Sequence, residues 1–336
     1  MKKVIALLLG FALLGAGAFA GEDITIGAAI RKYDDTFLTE HRNAVKERCD
    51  QLGIKVDATD SRADQVLQNN NIDMYITKGY NAITVNLQER SAADIVIEKC
   101  MNADIPLVIY ISEPFPEAME IWDKVYYVGS RAEDSGLYQA YAMADYWNAN
   151  KAQVDRNGDG KLQMVILTGE PGHNDAELRT EYCQRGLKER GIEFELIAKD
   201  TAMWDRVKGQ DKMATFLAAY DNIEAVFCNN DDMAMGAIEA LKAQGYFTGG
   251  KYMPVLGVDA TAVGKDAIKD GTMLATSFND AKGQGYAVAQ AAYLMAKGQP
   301  VTPETMAIPD IEFDGHHLWM PYKAVNKDNV DQFIAK

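Results

Sequence analysis

The chain has 336 residues, with 49 acidic against 34 basic side chains and a formal net charge of −15 at pH 7. Such an acidic surface repels phosphate backbones, which argues against nucleic-acid binding. The length exceeds that of one ordinary hydrophobic core, so two domains are expected.

Residues 1–20 are typical of a secretory signal peptide. Lys2 and Lys3 form a basic start, and residues 4–14 form an apolar run that is too short to span a bilayer. Ala18-Phe19-Ala20 matches a small-x-small cleavage site. We therefore expect export with cleavage after Ala20, which changes the formal charge to −17 because both lysines are lost.

Short apolar strands then alternate with helical patterns. In chain order, the first half predicts strand 24–30, helix 37–52, strand 55–58, helix 62–78, strand 82–86, helix 92–102 and strands 106–110 and 125–129. The strand pattern begins again at 164–167, 194–197, 225–228 and 255–258, with helices between. This alternation is typical of parallel sheets covered by helices on both faces. We expect an α/β fold of two doubly wound, Rossmann-like domains joined by short hinge segments.

Polar and aromatic side chains follow the predicted strands. In open parallel sheets, ligands bind beyond the carboxyl ends of the strands. The segments at those ends are 31–37, Asn86 and 111–114 in the first unit, and 170–175, 229–232 and Asp259 in the second. Their carboxylates, amides and aromatic rings suit a neutral ligand with many hydroxyl groups.

Residues 155–163 have the spacing of a calcium loop that lacks its last ligand. Gly160 stands at the sharp turn, and position twelve holds Ile166 instead of the usual bidentate Glu. Calcium takes six to eight oxygen ligands, so a carboxylate from elsewhere is needed. The candidate ligands are Asp155, Asn157, Asp159, Lys161 through its carbonyl, Gln163 and Glu224.

Glu224 completes this set on an argument from strand order. It precedes the predicted strand 225–228 as Gln163 precedes strand 164–167, and parallel strands enter a sheet from the same end. Neighbouring strands would therefore place Glu224 beside the loop, at the end of the sheet opposite the ligand segments. We expect a structural Ca²⁺ site. The alternative is a solvated turn, because Asn-Gly and Asp-Gly are ordinary turn pairs.

The four cysteines, Cys49, Cys100, Cys183 and Cys228, fit no zinc spacing and allow three complete pairings. Three fall in helical patterns and one ends an apolar strand. This placement favours unpaired, buried thiols over a disulfide framework.

Seven motifs run in order along nearly the whole mature chain. They are KYDD at 32–35, YYVG at 126–129, GEPGH at 169–173, DTAMWD at 200–205, NND at 229–231, GVDA at 257–260 and NDA at 279–281. With them the chain resembles the galactose/glucose-binding family of type I periplasmic binding proteins, which are sugar receptors of ABC transporters.

The resemblance implies a periplasmic, monomeric protein of two lobes that close on a monosaccharide. The lobes would be 21–129 plus 280–315 and 130–279 plus 316–336, joined by three crossing segments. The implied partner is the transporter permease in the inner membrane, and members of the family also dock on a chemotaxis receptor.

Carried over by position, the resemblance implies that Phe37 and Trp204 sandwich the sugar ring, whose apolar C–H faces suit aromatic faces. Each of the two could instead be an ordinary core residue. Carboxylates accept from sugar hydroxyls and guanidinium groups donate, which gives strong, charge-assisted bonds. The implied polar set is Asp35, His173, Asp175, Arg179, Asn230, Asp259 and Asn279. The plainer alternatives are a turn histidine, a helix cap at Asn230 and a surface ion pair of Asp175 with Arg179.

The chain departs from the family at Ile111 and Ser112, where the family has an Asn that bonds the sugar, followed by Lys. An Ile side chain cannot hydrogen-bond, and losing one neutral hydrogen bond costs about 0.5–1.5 kcal/mol. The expected ligand is D-galactose or D-glucose. The alternative is another sugar, such as a pentose or a glycoside, that lacks or reorients this hydroxyl.

Two other functions fit the sequence less well. A glycosidase needs two carboxyl groups set across a scissile bond, whereas the carboxyl groups here are expected to surround one ring, so no enzymatic activity is expected. A sugar-responsive repressor shares the fold, but the signal peptide and the negative charge argue against it.

Overall fold

The computed structural model describes residues 23–334. The predicted signal peptide and its cleavage site lie outside the described residues. No helix within 23–334 is long and apolar enough to cross a membrane.

Strands and helices alternate as the sequence predicts. The strands are β1 (Thr25–Ile30), β2 (Lys55–Asp60), β3 (Ala82–Val85), β4 (Leu107–Tyr110), β5 (Val125–Gly129), β6 (Leu162–Thr168), β7 (Phe194–Thr201), β8 (Ala225–Cys228), β9 (Val255–Leu256), β10 (Ala275–Phe278), β11 (Glu312–Asp314), β12 (His317–Trp319) and β13 (Lys323–Asn326). The helices are α1 (Thr36–Leu52), α2 (Gln65–Thr77), α3 (Ala93–Asn102), α4 (Pro116–Met119), α5 (Ala132–Val154), α6 (Asn174–Glu189), α7 (Arg206–Ala219), α8 (Asp231–Ala243), α9 (Ala262–Lys269), α10 (Ala281–Ala296) and α11 (Pro303–Met306).

Two mostly parallel sheets form the cores of two lobes. The first lobe has the strand order β11-β12-β5-β4-β3-β1-β2, and the second has β13-β10-β9-β8-β6-β7. The innermost strands, such as β3 and β8, are buried along their whole length, as expected for strands covered by helices on both faces. This arrangement confirms the predicted α/β class of two doubly wound units.

Both lobes reverse their strand order next to the first strand. In the first lobe β1 lies between β2 and β3, and in the second β6 lies between β7 and β8. The carboxyl ends at such a reversal border a crevice between the helices, which is where open α/β sheets bind ligands.

The chain crosses between the lobes three times. It leaves the first sheet after β5, returns between β10 and α10, and leaves again between β12 and β13. The third crossing lies later than the boundary expected at residue 316. The reason is that His317–Trp319 pair in parallel with Tyr127–Gly129 and so extend the first sheet.

Local backbone conformation explains one shifted boundary. The helix expected from residue 62 begins at Gln65, because Arg62 and Ala63 adopt positive φ angles of 53° and 56°. Asp64 then caps α2, its Oδ1 accepting a hydrogen bond from Leu67 N at 2.9 Å.

All four cysteines lie within the described residues, as free and buried thiols. This confirms the expectation of unpaired cysteines.

Candidate functional site

A cavity lies between the two lobes, beyond the carboxyl ends of their central strands. Its empty space is about 410 Å³, part of which is open to solvent. The structure brings all nine sequence-predicted sugar-site residues to its walls: Asp35, Phe37, His173, Asp175, Arg179, Trp204, Asn230, Asp259 and Asn279.

The start of α1 presents Asp35 and Phe37 from the first lobe. Asp35 is the N-cap of α1, with Oδ1 accepting from Leu38 N at 2.9 Å, and Lys32 Nζ lies 3.9 Å from its Oδ2. The cap fixes the first helical turn, so the Phe37 ring is held in the cavity wall while it stays 9 % exposed.

His173 is the N-cap of α6 and bridges the two lobes. Its Nδ1 accepts from Asp175 N at 3.2 Å, and its Nε2 lies 3.2 Å from Ser112 Oγ of the first lobe. Burial, followed by the positive charges of Arg31, Arg179 and Arg90, holds the pKa of His173 well below its usual value. The ring is therefore neutral near pH 7, and its Nε2 carries the proton, because Nδ1 is an acceptor.

Asp175 and Arg179 form a buried ion pair one turn apart on α6. Arg179 Nη2 lies 2.9 Å from Asp175 Oδ2 and also donates to Tyr322 Oη at 2.7 Å, while Nη1 donates to Asn229 O at 2.7 Å. Burial raises the pKa of Asp175, although Arg179 opposes this effect. The alternative reading of Asp175 and Arg179 as a surface ion pair is thus excluded, since Arg179 is only 4 % exposed.

Trp204 lies flat against the loop after β6. Met203 and Trp204 have positive φ angles of 55° and 62°, a conformation that non-glycine residues rarely adopt. A Cβ atom at Gly169 would lie 2.1 Å from Trp204 Cζ2, so the indole can occupy this place only beside a glycine. His173 packs edge-on against the indole at 5.2 Å between ring centroids.

Three polar residues complete the second-lobe side. Asn230 caps α8, its Oδ1 accepting a hydrogen bond from Met233 N at 2.9 Å. The residue also lines the cavity, so it has both the helix-cap position and the position expected of a site residue. Asn279 Nδ2 donates to Asp259 Oδ1 at 3.2 Å. Burial raises the pKa of Asp259 well above its usual value, with Arg179 acting in the opposite direction.

The cavity also contains residues outside the predicted sugar-contacting set, two of which lie in the predicted ligand segments. Arg31 and Leu38 belong to the first lobe, and Asn86 follows β3 directly. Their positions at strand ends and in the first turn of α1 were the available signal. Asn86 Oδ1 is buried without a hydrogen-bond partner in the described part of the chain, whereas its Nδ2 donates to Tyr110 O and Ser112 Oγ.

Ile111 also lines the cavity, directly after β4. It has a φ angle of 64°, which is an outlier for a β-branched residue. Ser112 does not line this cavity. Its Oγ donates to Leu87 O at 2.9 Å and lies next to His173, which connects the lobes.

The loop at 155–163 lies at the opposite end of the second sheet. β6 and β8 are parallel neighbours, and this pairing places Glu224 beside Gln163: Glu224 Oε2 accepts from Gln163 N at 3.1 Å and Oε1 from Arg156 N at 2.6 Å. Two buried acceptors, Asp155 Oδ1 and Gln163 Oε1, have no donor among residues 23–334.

The fold and the cavity define a two-lobed solute-binding protein. A model of the periplasmic binding protein domain matches residues 26–300. The chain belongs to the periplasmic binding protein family.

Two curated relatives match the chain over their full lengths. The D-galactose/methyl-galactoside binding periplasmic protein MglB of Haemophilus influenzae is 37% identical over 99% of this chain and 100% of the relative. A putative rhizopine-binding protein of Rhizobium meliloti is 30% identical over 100% of both chains.

The fold is similar to that of solved solute-binding proteins. An ABC transporter solute binding protein from Bacillus halodurans C-125 with bound myo-inositol superposes with a TM-score of 0.78 and 29% identity, covering 93% of this chain and 97% of the other. These relatives are binding proteins and not enzymes, in agreement with the expectation from the sequence.

Proposed function

We propose that the protein is the periplasmic sugar-binding component of an ABC transporter and that its ligand is D-galactose or D-glucose. The observation that carries this proposal is the set of buried polar atoms at the cavity. Asn86 Oδ1, Arg31 Nε, Arg179 Nε and Trp204 Nε1 all lack hydrogen-bond partners among the described residues. An acceptor beside several donors suits hydroxyl groups, which both donate and accept.

The two aromatic residues support a sugar ring in particular. Phe37 comes from the first lobe and Trp204 from the second, and both line the same cavity. A pyranose has apolar C–H faces and a polar hydroxyl rim, so aromatic faces and surrounding polar groups match it. MglB, whose printed name gives galactose and methyl-galactoside as ligands, is similar over the full length.

The proposed mechanism is closure of the lobes on the ligand. Each lobe holds half of the site, so a sugar that contacts both halves stabilises the closed form relative to the open one. The permease would then bind the closed form. Docking of the same form on a chemotaxis receptor, and a monomeric state, are further parts of the proposal.

Calorimetric titration tests the ligand. Protein that has been unfolded, freed of sugar and refolded should bind D-galactose or D-glucose in a one-to-one ratio with a micromolar or tighter dissociation constant. D-Arabinose, D-xylose and methyl glycosides are titrated in parallel, because Ile111 favours a sugar without a hydroxyl at its position. Tighter binding of a pentose or glycoside would replace the hexose proposal, and lack of binding to every sugar would refute the sugar-binding function.

We also propose a structural Ca²⁺ ion in the loop at 155–163. The unpartnered oxygens of Asp155 and Gln163, with the carboxylates of Asp159 and Glu224 nearby, support an oxygen-ligated site. No cluster of three or more His, Cys, Asp or Glu side chains suited to a metal occurs within residues 23–334. Binding therefore has to use amide and backbone oxygens as well, here from Asn157, Gln163 and Lys161. A calorimetric calcium titration of chelator-treated protein should give one site, and no heat of binding would contradict it.

A further inference from the structure

One wall of the cavity is apolar. Ile111 packs against a small cluster formed by Phe37, Leu38 and Ala281, and three of these four side chains, all except Ala281, line the cavity. The remaining walls hold the Trp204 indole together with carboxylates, amides, two guanidinium groups and an imidazole. The ligand therefore meets an aromatic ring and polar partners from the other walls and an aliphatic surface at Ile111.

Ile111 occupies this wall in an unfavourable backbone conformation. Its N–H donates to Val128 O at 3.0 Å and its carbonyl accepts from Tyr127 Oη at 2.9 Å, so the backbone is fixed on both sides at a φ angle of 64°. Gly or Asn would adopt this conformation with less strain. A β-branched residue therefore occupies a position whose backbone angle disfavours it. Such a strained residue indicates a functional constraint.

Asn86 lies next to the apolar wall and presents a hydrogen-bond acceptor there. Its amide Nδ2 is engaged by Tyr110 O at 3.2 Å and Ser112 Oγ at 3.3 Å, on either side of Ile111 in the sequence. Its Oδ1 is buried and has no protein partner within the described chain. This side of the cavity therefore offers one acceptor and, beside it, a hydrocarbon surface.

We infer that the site prefers a deoxy form of D-galactose or D-glucose, which presents a methyl or methylene group to Ile111 and a neighbouring hydroxyl to Asn86. The inference rests on the proposed sugar-binding function and refines it, with the parent hexose binding no more tightly than its deoxy form. A hydroxyl placed against Ile111 would lose its bonds to water without gaining a partner, whereas a methyl or methylene group gains apolar contact there.

The test is a calorimetric panel on sugar-free protein. The probes are D-galactose and D-glucose, their 6-deoxy forms, and the 2-deoxy and 3-deoxy forms of D-glucose. The wild type should bind one deoxy analogue at least as tightly as its parent sugar. Ile111→Asn, which supplies a hydrogen-bonding group at the same place, should shift the ratio of the two affinities at least tenfold towards the parent.

Ile111→Val is the matched control, because it keeps a branched hydrocarbon and should keep the preference for the deoxy sugar. The inference is overturned if the wild type binds every deoxy analogue more weakly than its parent. It is also overturned if Ile111→Asn leaves each affinity ratio unchanged. The wild-type panel alone decides the matter if Ile111→Asn does not fold. If the parent sugars bind and no deoxy sugar binds, the inference is refuted and the proposed function stands. If none of the sugars binds, both are refuted.

Discussion

Arg31 of the first lobe and Glu170 of the second form an ion pair across the cleft, with Arg31 Nη1 2.9 Å from Glu170 Oε2. The two side chains are 4% and 13% exposed, so the pair is far more buried than the surface ion pairs of the chain. A second bridge lies nearby, from Asn174 Nδ2 to Glu113 Oε2 at 2.8 Å. Both contacts join residues of different lobes, so an opening of the cleft would break them.

Glu170→Gln should therefore weaken sugar binding by shifting the lobes towards the open form. In the closed form the change leaves the Arg31 charge buried without its counter-ion, whereas in the open form water solvates it. We expect the dissociation constant to rise about tenfold, or about 1.4 kcal/mol. Calorimetry gives the affinity, and small-angle scattering of the sugar-free protein should show a larger radius of gyration.

Lys46→Gln is the control for this change. Lys46 and Asp50 form a fully exposed pair within α1, with side chains 66% and 62% exposed. Exposed pairs contribute little, so both affinity and scattering should match the wild type. Equal effects of Glu170→Gln and Lys46→Gln would show that the cleft pair does not stabilise closure.

Gly169→Ala should reduce sugar affinity by displacing Trp204. The added Cβ would lie 2.1 Å from Cζ2 of the indole, so the loop and the ring cannot both keep their places. An aromatic contact contributes about 0.5–1.5 kcal/mol, so a loss of up to about tenfold is expected, with a shift of the tryptophan emission.

Gly172→Ala is the matched control in the same loop, since its Cβ would meet no described atom within 4 Å. An alanine at the positive φ angle of 79° is strained, so Gly172→Ala should lower the stability of the protein while tryptophan emission and sugar affinity stay unchanged. Unchanged emission and affinity in Gly169→Ala would contradict the role of the glycine.

Removal of calcium should lower the melting temperature of the wild type by several degrees. A ligand present at about 100 times its dissociation constant stabilises the folded state by about 2.7 kcal/mol. Asp155→Asn should melt at the lower temperature and should not respond to chelator, because Asp155 carries an unpartnered buried oxygen of the loop. Asp145→Asn, at a carboxylate that is 74% exposed on α5, should respond as the wild type does. The same chelator response in all three proteins would place the calcium effect outside this loop.

The four thiols should be unreactive in the folded protein. Burial raises the pKa of Cys49, Cys100 and Cys183 to about 12, so almost no thiolate is present at pH 8. A thiol reagent such as Ellman's reagent should titrate all four groups only after unfolding, and a reductant should leave the melting temperature unchanged. Fewer than four thiols in the unfolded, unreduced protein would indicate a disulfide.

Sequence reasoning predicted the parts of the site that depend on where strands end. Asp35, His173 and Asn230 directly follow or cap elements whose apolar pattern is clear, so a parallel-sheet argument was enough to place their segments at the carboxyl edges of the two sheets. Their individual roles were implied by the family resemblance. The pairing of β6 with β8, which places Glu224 beside Gln163, could be stated only as a condition until the strand order was known. Strand order depends on packing between distant segments, and no local pattern encodes it.

Other features could not be predicted because they depend on a single backbone angle or on contacts between lobes. The strained conformation of Ile111 is fixed by bonds from Val128 and Tyr127, which lie on the neighbouring strand. The Arg31–Glu170 pair joins residues 139 positions apart. The third crossing lies later than the sequence predicts for a similar reason: the register of β12 against β5 is decided by tertiary pairing.

Asp231, at the start of α8, is a fully buried carboxyl group outside the cavity wall. Its Oδ1 accepts from Thr276 Oγ1 at 2.7 Å, and its Oδ2 accepts from Thr261 N at 2.8 Å and Thr261 Oγ1 at 3.1 Å. Burial raises its pKa from 3.8 to about 7, although these hydrogen bonds act in the opposite direction. The folded chain therefore holds a proton at this site under conditions in which the unfolded chain has lost it.

This difference fixes the sign of a pH effect on stability. Between pH 3.8 and about 7 the folded state binds more protons at Asp231 than the unfolded state does, so the contribution of this group to the free energy of unfolding falls as the pH rises. Asp231→Asn has no proton to lose. Its free energy of unfolding relative to the wild type should rise between pH 4.5 and 7 by on the order of 3 kcal/mol and should level off above about pH 8. Urea unfolding at several pH values measures this difference. Asp266→Asn, at an exposed position of α9, is the control for the loss of one carboxylate. A curve for Asp231→Asn parallel to that of the wild type would show that the Asp231 carboxyl group titrates alike in both states.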